Sequence, residues 1–385
     1  MVGHYLTDER RMIQEQARDF TTREVLPVAN KLDPQKGEIP MTLRKKMAEM
    51  GYFGILVDEK YGGLGLGVFE YCLVTEELAR GWMSVASIIA RANNIPGMEK
   101  LSEERRAEVM PRVARGEWLG AFAMSEPNAG SDISNISCRA RRDGDSWVIH
   151  GSKYWCTFAD GSDYLVVIAR TSAPPPGKQH KGLSAFIIPK ERGQLPDGVR
   201  GSPIPKIGYH GWKTWELAFD ECRVSADALL GEEGEGFYIV TQGLEKARAH
   251  TAARAIGLAR GALEDSVAYA AKREQFGSPI SHFQEIRFKI AKMATEIEAA
   301  RQLNYFVCAQ IDSGGRCDLE ASMTKLFATE MAERVTSEAI QIHGGAGYTT
   351  LHAVERHWRD ARLTKIFEGT SEIQLRIISD RLLGK

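Results

Sequence analysis

The stretch Tyr164-Leu165-Val166-Val167-Ile168, preceded by Gly161-Ser162-Asp163 and soon followed by Ala173-Pro-Pro-Pro-Gly177, decides how the chain divides. An unbroken apolar run between turn formers reads as a short buried strand. Trp147-Val148-Ile149, Leu183 to Ile188 and Trp215 to Phe219 repeat the signal, so a β-rich region runs from Leu119 to about Val224. Outside it the period changes. Met12, Ala17, Phe20, Val25 and Leu26, then Leu43, Met47, Met50 and Phe53, recur at helical spacing from Thr7 to about Gly116. Phe237 to Lys272, Phe283 to Ile311, Asp318 to Ile342 and a last helix from about Ser371 do the same, punctuated by Gly314-Gly315 and Gly344-Gly345. Strands kept apart from helices argue against a doubly wound sheet. The expected class is α+β: an N-terminal α-helical domain at 1–118, a middle β domain at 119–226 and a C-terminal α-helical domain at 227–385.

Composition narrows the function. A chain of 385 residues has room for about two or three domains. Fifty Lys and Arg against 51 Asp and Glu leave a net charge of -1. That balance offers no field for nucleic acid or an anionic membrane, so an anionic ligand must be met by local arginines. No run approaches the roughly 18 apolar residues of a membrane span. The six cysteines contain no Cys-x-x-Cys pair, which predicts neither a disulfide scaffold nor a zinc site, and no metal. Met1 to Arg11 runs into an amphipathic pattern without a signal-peptide core, so a cytoplasmic location is expected.

Three glycine clusters, Gly62 to Gly67, Gly231 to Gly236 and Gly344 to Gly347, invite a nucleotide-binding reading. None follows a strand and opens a helix with G-x-G-x-x-G spacing, and none ends in Gly-Lys-Ser/Thr. They read as turns.

Chemistry concentrates elsewhere. In Ile366-Phe-Glu-Gly-Thr-Ser-Glu-Ile-Gln374, Ser371 and Gln374 have capping-box spacing, which leaves Glu368 on a loop just before the last helix. Beside Phe367 and Gly369 its carboxyl is expected in an apolar turn, where desolvation raises its pKa toward a general base's range while the helix N-terminus pulls it down. A solvated loop glutamate is the plainer alternative. Leu119 to Asp132 reads as a strand entering a turn whose backbone, with Ser125 and Ser131, suits a planar heterocycle or is simply a β-turn. Lys153-Tyr-Trp-Cys-Thr157 places Trp155 and Thr157 on one strand face, for stacking on a ring or for a half-buried core Trp.

With these stretches in order along the chain, the sequence resembles the acyl-CoA dehydrogenase family from end to end. Met124-Ser-Glu-Pro-Asn-Ala-Gly-Ser-Asp132 is similar to its first signature and Lys153 to Thr157 to its flavin-packing segment. Arg273-Glu-Gln-Phe-Gly277 with Gln284, Gln341-Ile-His-Gly-Gly-Ala-Gly-Tyr348 and the Glu368 segment complete the set. The resemblance implies a middle β-barrel or sandwich and a C-terminal four-helix bundle, with FAD between them. It implies that Phe122, Met124, Ser125, Gly130, Ser131, Trp155 and Thr157 line the isoalloxazine, with Thr370 and Glu372 near the dinucleotide. Arg273, Phe276, Ile280, Gln284, Gln341 and Gly345 match positions that reach the FAD of a neighbouring subunit, in a homotetramer built as a dimer of dimers.

For the substrate, the resemblance makes Glu368 the base that removes the α-proton of an acyl-CoA thioester, the β-hydrogen leaving as hydride to flavin N5. The thioester oxygen is then held by the base's own backbone N–H and a flavin hydroxyl, and electrons pass to an electron-transfer flavoprotein. Ser131, Glu245, Arg248 and Gly369 fall at substrate positions, Arg248 against CoA. Relatives with a base one helix away carry it where this chain has Ala247, which cannot take a proton. The segment Met83 to Gly97, which floors the acyl pocket in relatives, departs from the pattern with Arg91, Asn93 and Asn94. Arg91, or Arg80 at the position of an arginine in glutaryl-CoA dehydrogenase, is a candidate partner for a carboxylate on the acyl tail; structural arginines paired with neighbouring acids are the alternative. The aromatic loop Ile207-Gly-Tyr-His-Gly-Trp-Lys-Thr-Trp215 either shapes a cyclic or aromatic acyl site or packs. A flavin oxidase or monooxygenase on the same scaffold, and a non-catalytic CoA-binding scaffold, are the competing functions; Glu368 and the flavin loops speak against them.

Overall fold

A computed structural model describes residues 5–384; Met1 to His4 of the N-terminal reading lie outside them. Seven helices come first: α1 (Asp8–Phe20), α2 (Leu26–Leu32), α3 (Met41–Glu49), α4 (Val68–Gly81), α5 (Met83–Ile88), α6 (Ala90–Asn93) and α7 (Glu103–Ala114). Every residue of α4 is buried, which makes it a core helix. The expected floor segment is two short helices, α5 and α6, with the stripe Val85, Ile88, Ile89 and Ala92 buried.

The middle region holds β1 (Gly120–Ala123), β2 (Arg139–Asp143), β3 (Ser146–Thr157), β4 (Tyr164–Arg170), β5 (Leu183–Pro189), β6 (Val199–Pro203), β7 (Thr214–Ser225) and β8 (Leu229–Leu230). They form one sheet in the order β6-β7-β3-β2-β4-β5-β8, with β1 parallel to β4. The run that decided the reading, Tyr164 to Ile168, is β4, buried throughout between β1 and β5.

The C-terminal helices are α8 (Gly236–Thr241), α9 (Leu244–Lys272), α10 (Gln284–Asp312), α11 (Asp318–His343), α12 (Val354–Thr364) and α13 (Ser371–Leu382), with the hairpin β9 (Glu274–Gln275) and β10 (Ser278–Pro279) between α9 and α10. The stretch expected as one helix from Phe237 breaks at Gly243, whose φ of 77° ends α8 and starts α9. Helix α12 was not anticipated.

The N- and C-terminal helices share one interior. The Asp312 carboxylate of α10 accepts the Val68 and Phe69 N–H groups at 2.7 and 3.0 Å and so caps α4. Arg260 of α9 donates to Glu76 and to Glu77 at 2.9 Å, and Arg301 of α10 donates to Glu76 at 2.9 Å. Close approach makes this contact: a Cβ at Gly257 would lie 2.3 Å from the Glu76 carbonyl oxygen. Among the described residues no helix is long and apolar enough to cross a membrane.

Candidate active site

Glu368 sits between α12 and α13 with φ 54°, a left-handed conformation costly for a residue with a Cβ and concentrated at functional sites. Four side chains from three helices, α9, α11 and α13, hold this turn. Thr251 donates to the carboxylate, and Arg254 Nη2 donates to both oxygens at 2.8 and 2.9 Å, from one face of α9. Lys325 of α11 donates to the Gly369 carbonyl at 2.6 Å, and Gln374 Nε2 does so at 3.0 Å. The Glu368 backbone N–H makes no hydrogen bond among the described residues.

Two expectations change here. The α13 cap is Thr370, whose hydroxyl accepts the Ile373 N–H at 3.3 Å. Ser371 falls one residue inside the helix and donates to Glu330 instead. The Glu368 carboxyl is also not raised. Burial is the largest single influence and would raise it, but the Arg254 charge, with His250 and the hydrogen bonds from Thr251 and Arg254, holds it at about 2. Its side chain remains about a third exposed, so the ion pair opens onto free space.

Arg254 is buried, sits 4.6 Å above the Phe367 ring and also donates to Ser87 of α5 at 3.0 Å. His250, one turn earlier, is driven down to about 3 by burial and then by Arg254, so it is uncharged near neutrality. An unfolded chain protonates this imidazole below its ordinary value of 6.5, whereas the folded one does so only near 3. Folding stability therefore falls as pH drops from about 6.5 toward 3. His250→Gln is expected to flatten that limb of a melting-temperature profile; an unchanged slope refutes the assignment.

The aromatic loop is packed. Tyr209 and Trp212 are buried. Tyr209 meets Phe367 and Trp212 edge-on, at 5.9 and 5.2 Å, and donates its N–H to Asp360 at 2.6 Å. It walls the space around Glu368. Arg91 lies 5.0 Å from the Trp212 ring and, among the described residues, makes no ion pair or hydrogen bond. Arg80 is a correction. It donates to Glu264 at 3.0 Å and Thr22 at 2.7 Å. Glu264 is ten residues past Arg254 on α9, about 15 Å along the axis. The Arg80 guanidinium is therefore occupied by its own chain, well along α9 from the Arg254–Glu368 pair.

Six residues before Arg254, about 9 Å along α9, Arg248 is buried with its Nε unpaired. It lines a cleft of about 530 Å³ with Glu245, Gly243, Arg316, Asp318 and Arg381. Arg316 and Arg381 are spent on Asp318, at 2.8 and 2.6 Å, and Glu245 accepts the Cys317 N–H at 3.2 Å. Among the described residues lining the cleft, Arg248 is the cation left without an ion pair, as a polyanion requires.

The loop after β1 is anchored from behind. Lys153 Nζ, fully buried, donates to Glu126 at 2.8 Å and to the Met124 carbonyl at 2.9 Å. Glu126 also accepts the N–H groups of Ser137 and Cys138 at 2.8 and 2.9 Å, and the Tyr154 N–H donates to the Ser125 carbonyl at 2.7 Å. This presents half-buried Phe122, Met124 and Ser125, with Gly130 and Ser131 exposed. A bulge in β3 gives Trp155 a φ of 63° and leaves it 57% exposed while Cys156 is buried. Trp155 is thus not a core residue, and its ring is free to stack. Thr157, paired with Thr214 at 3.0 Å, lies half-buried beyond it. An aromatic face, a hydroxyl and a backbone cradle fit a flavin ring.

Phe276 forms the tip of the β9–β10 hairpin, 96% exposed. Arg273, Gln284, Gln341 and Gly345 are exposed as well. Tyr269 stacks on His343 at 4.2 Å, which ties the hairpin's end of α9 to the Gly344 loop. Ile280 departs from the set, because its own chain buries it. Thr370 is half-buried and Glu372 exposed in the first turn of α13.

Helical regions flanking a sheet, a flavin cradle and a carboxylate in a strained turn define a flavin-dependent dehydrogenase. The chain matches the family patterns described as acyl-CoA dehydrogenase N-terminal domain over residues 7–117, middle domain over 121–222 and C-terminal domain over 234–383. It is 40% identical to (2S)-methylsuccinyl-CoA dehydrogenase of Cereibacter sphaeroides, over 98% of this chain and 70% of that protein. It superposes on butyryl-CoA dehydrogenase of Megasphaera elsdenii with TM-score 0.91 and 35% identity, over 98% and 99% of the two chains. A chain from structural work on the electron transferring flavoprotein of Acidaminococcus fermentans gives TM-score 0.92 and 36% identity over 100% of both. The chain belongs to the acyl-CoA dehydrogenase family. It is an FAD-dependent oxidoreductase.

Arg254, Thr251, Ser87, Lys325 and the Glu126–Lys153 pair were not picked out from sequence. One signal was present: a lone arginine within Ala252-Ala253-Arg254-Ala255-Ile256-Gly257, where a charge has no solvent.

Proposed function

We propose that the protein dehydrogenates an acyl-CoA thioester to the 2-enoyl-CoA, with Glu368 as the base. The observation that carries this is the strained Glu368 turn, which brings together a carboxylate and an unpaired backbone N–H. Glu368 takes the α-proton, and the electron pair of that C–H bond becomes part of the new double bond. Bound FAD supplies the acceptor that takes the β-hydrogen as hydride. The free Glu368 N–H steadies the thioester oxygen as negative charge develops on it. Lys325 and Gln374 fix that N–H by holding the Gly369 carbonyl. Arg248 meets CoA, with Glu245 and Ser131 at its margins, and Phe122, Met124, Ser125, Gly130, Trp155 and Thr157 meet the flavin.

Exposed Phe276, with Arg273, Gln284, Gln341 and Gly345, reaches the FAD of a second subunit, and Thr370 and Glu372 border the dinucleotide. The assembly is a homotetramer, and an electron-transfer flavoprotein takes the electrons. Six free, buried cysteines suit the cytoplasm. Anaerobic titration with straight, branched, cyclic and dicarboxylic acyl-CoAs is expected to bleach the flavin with at least one of them, and the reduced enzyme to pass electrons to an electron-transfer flavoprotein faster than to oxygen. Reoxidation by oxygen at the same rate would favour an oxidase.

A further inference from the structure

The space beside Glu368 is charged out of balance. The ionic groups acting on Tyr71, Tyr209 and His250, which surround it, are Arg254, Arg91 and Glu368. Two cations face one anion. The donors are in surplus as well: Arg254 Nε, Arg91 Nε, Trp212 Nε1 and the Tyr71 hydroxyl are buried without an acceptor. Buried donors and charges without partners are costly, and a straight hydrocarbon tail would leave all of them unmet.

We propose that the acyl group carries a second carboxylate on a short chain, and that this carboxylate takes Arg254 away from Glu368, freeing the base only when the right substrate is bound. This rests on Glu368 being the base. A substrate carboxylate brings this group of charges to neutrality and supplies the missing acceptor, with Arg91 beside Trp212 as its second donor. Its reach follows from the contacts. The α-carbon must come within about 3.5 Å of a Glu368 oxygen, and the carboxylate within about 2.9 Å of a guanidinium nitrogen. Arg254 touches Glu368 through Nη2 and Ser87 through Nη1, so a carboxylate arriving on the Ser87 side lies two or three bonds from the α-carbon. That describes a four- or five-carbon diacid.

The exchange also answers a chemical difficulty. Clamped by Arg254, Glu368 is a very weak base. When the substrate carboxylate takes the guanidinium, Arg254 stays protonated and merely changes partner, and the carboxyl rises from its clamped state toward and past its ordinary value as the substrate covers it. An acyl-CoA with a methyl end leaves the clamp closed.

The test compares pairs of equal length on the wild-type holoenzyme: succinyl-CoA with butyryl-CoA, and glutaryl-CoA with pentanoyl-CoA, by anaerobic flavin bleaching. In at least one pair the carboxylated member is expected to react about 100-fold faster in kcat/KM. Arg254→Gln should lose that preference, slowing on the diacid and speeding up on the uncharged partner as the clamp goes. Equal rates within both wild-type pairs overturn the proposal without any variant, and so does an unchanged ranking in Arg254→Gln. Glu368→Gln separates the two readings: bleaching there at the wild-type rate removes the base, whereas a wild-type enzyme without acyl preference removes only the carboxylate.

Discussion

Glu368→Gln slows flavin bleaching by acyl-CoA about 10³- to 10⁴-fold while the protein stays yellow. The amide keeps the shape of the side chain and still accepts from Thr251, but it cannot take a proton at neutral pH. The turn is held through Gly369 by Lys325 and Gln374, neither of which bonds the lost carboxylate. FAD content and fold are therefore expected to survive. Bleaching within tenfold of wild type would place the base elsewhere, and Ala247 offers no alternative.

Glu126→Ala is expected to destabilise the chain by about 3–5 kcal/mol and to yield protein with substoichiometric FAD. The Lys153 side chain is fully buried against that carboxylate, so deleting it strands an ammonium with one carbonyl for company. The N–H groups of Ser137 and Cys138 lose their acceptor at the same time. The loop through Met124 and Ser125 would keep only the Tyr154 bond and the Met124 contact from a displaced lysine. Chemical denaturation and the ratio of flavin to protein absorbance measure the two effects. Full FAD content with unchanged stability would show the pair to be incidental.

The fold was legible where one period dominates. Tyr164 to Ile168 is apolar at every position because β4 is covered on both faces, and Asp318 to Ile342 keeps a helical stripe because α11 lies against α9. The break between α8 and α9 had one local signal, Gly243, which takes the left-handed conformation there, and the amphipathic run from Val354 that forms α12 was passed over. The site divided in the same way. Glu368 stands in a motif with turn chemistry of its own, so its place before a helix could be read directly. Its charge state could not, because the Arg254 that sets it is 114 residues away and becomes a partner only when α9 meets that loop. The reading of Arg80 failed for a related reason: Glu264 and Thr22, which occupy its guanidinium, are brought there by tertiary structure alone.

The junction of α4 with α9 and α10 bears on what unfolds together. Helix α4 starts on a carboxylate from α10, its Glu76 is bonded to arginines of α9 and α10, and its Glu77 is shared between Arg260 of α9 and Arg18 and Arg80 of the first third. A fragment ending near residue 118 would keep Arg18 and Arg80 beside Glu77 and the Glu70 bond to the Gly67 N–H, but it would lose both guanidiniums bonded to Glu76 and the Asp312 carboxylate at the start of α4. Order along the chain is then a poor guide to autonomy. The first and last thirds form one cooperative unit interrupted by the sheet, so cutting the backbone near Leu119 should release no free-standing domain, only two pieces that stay bound.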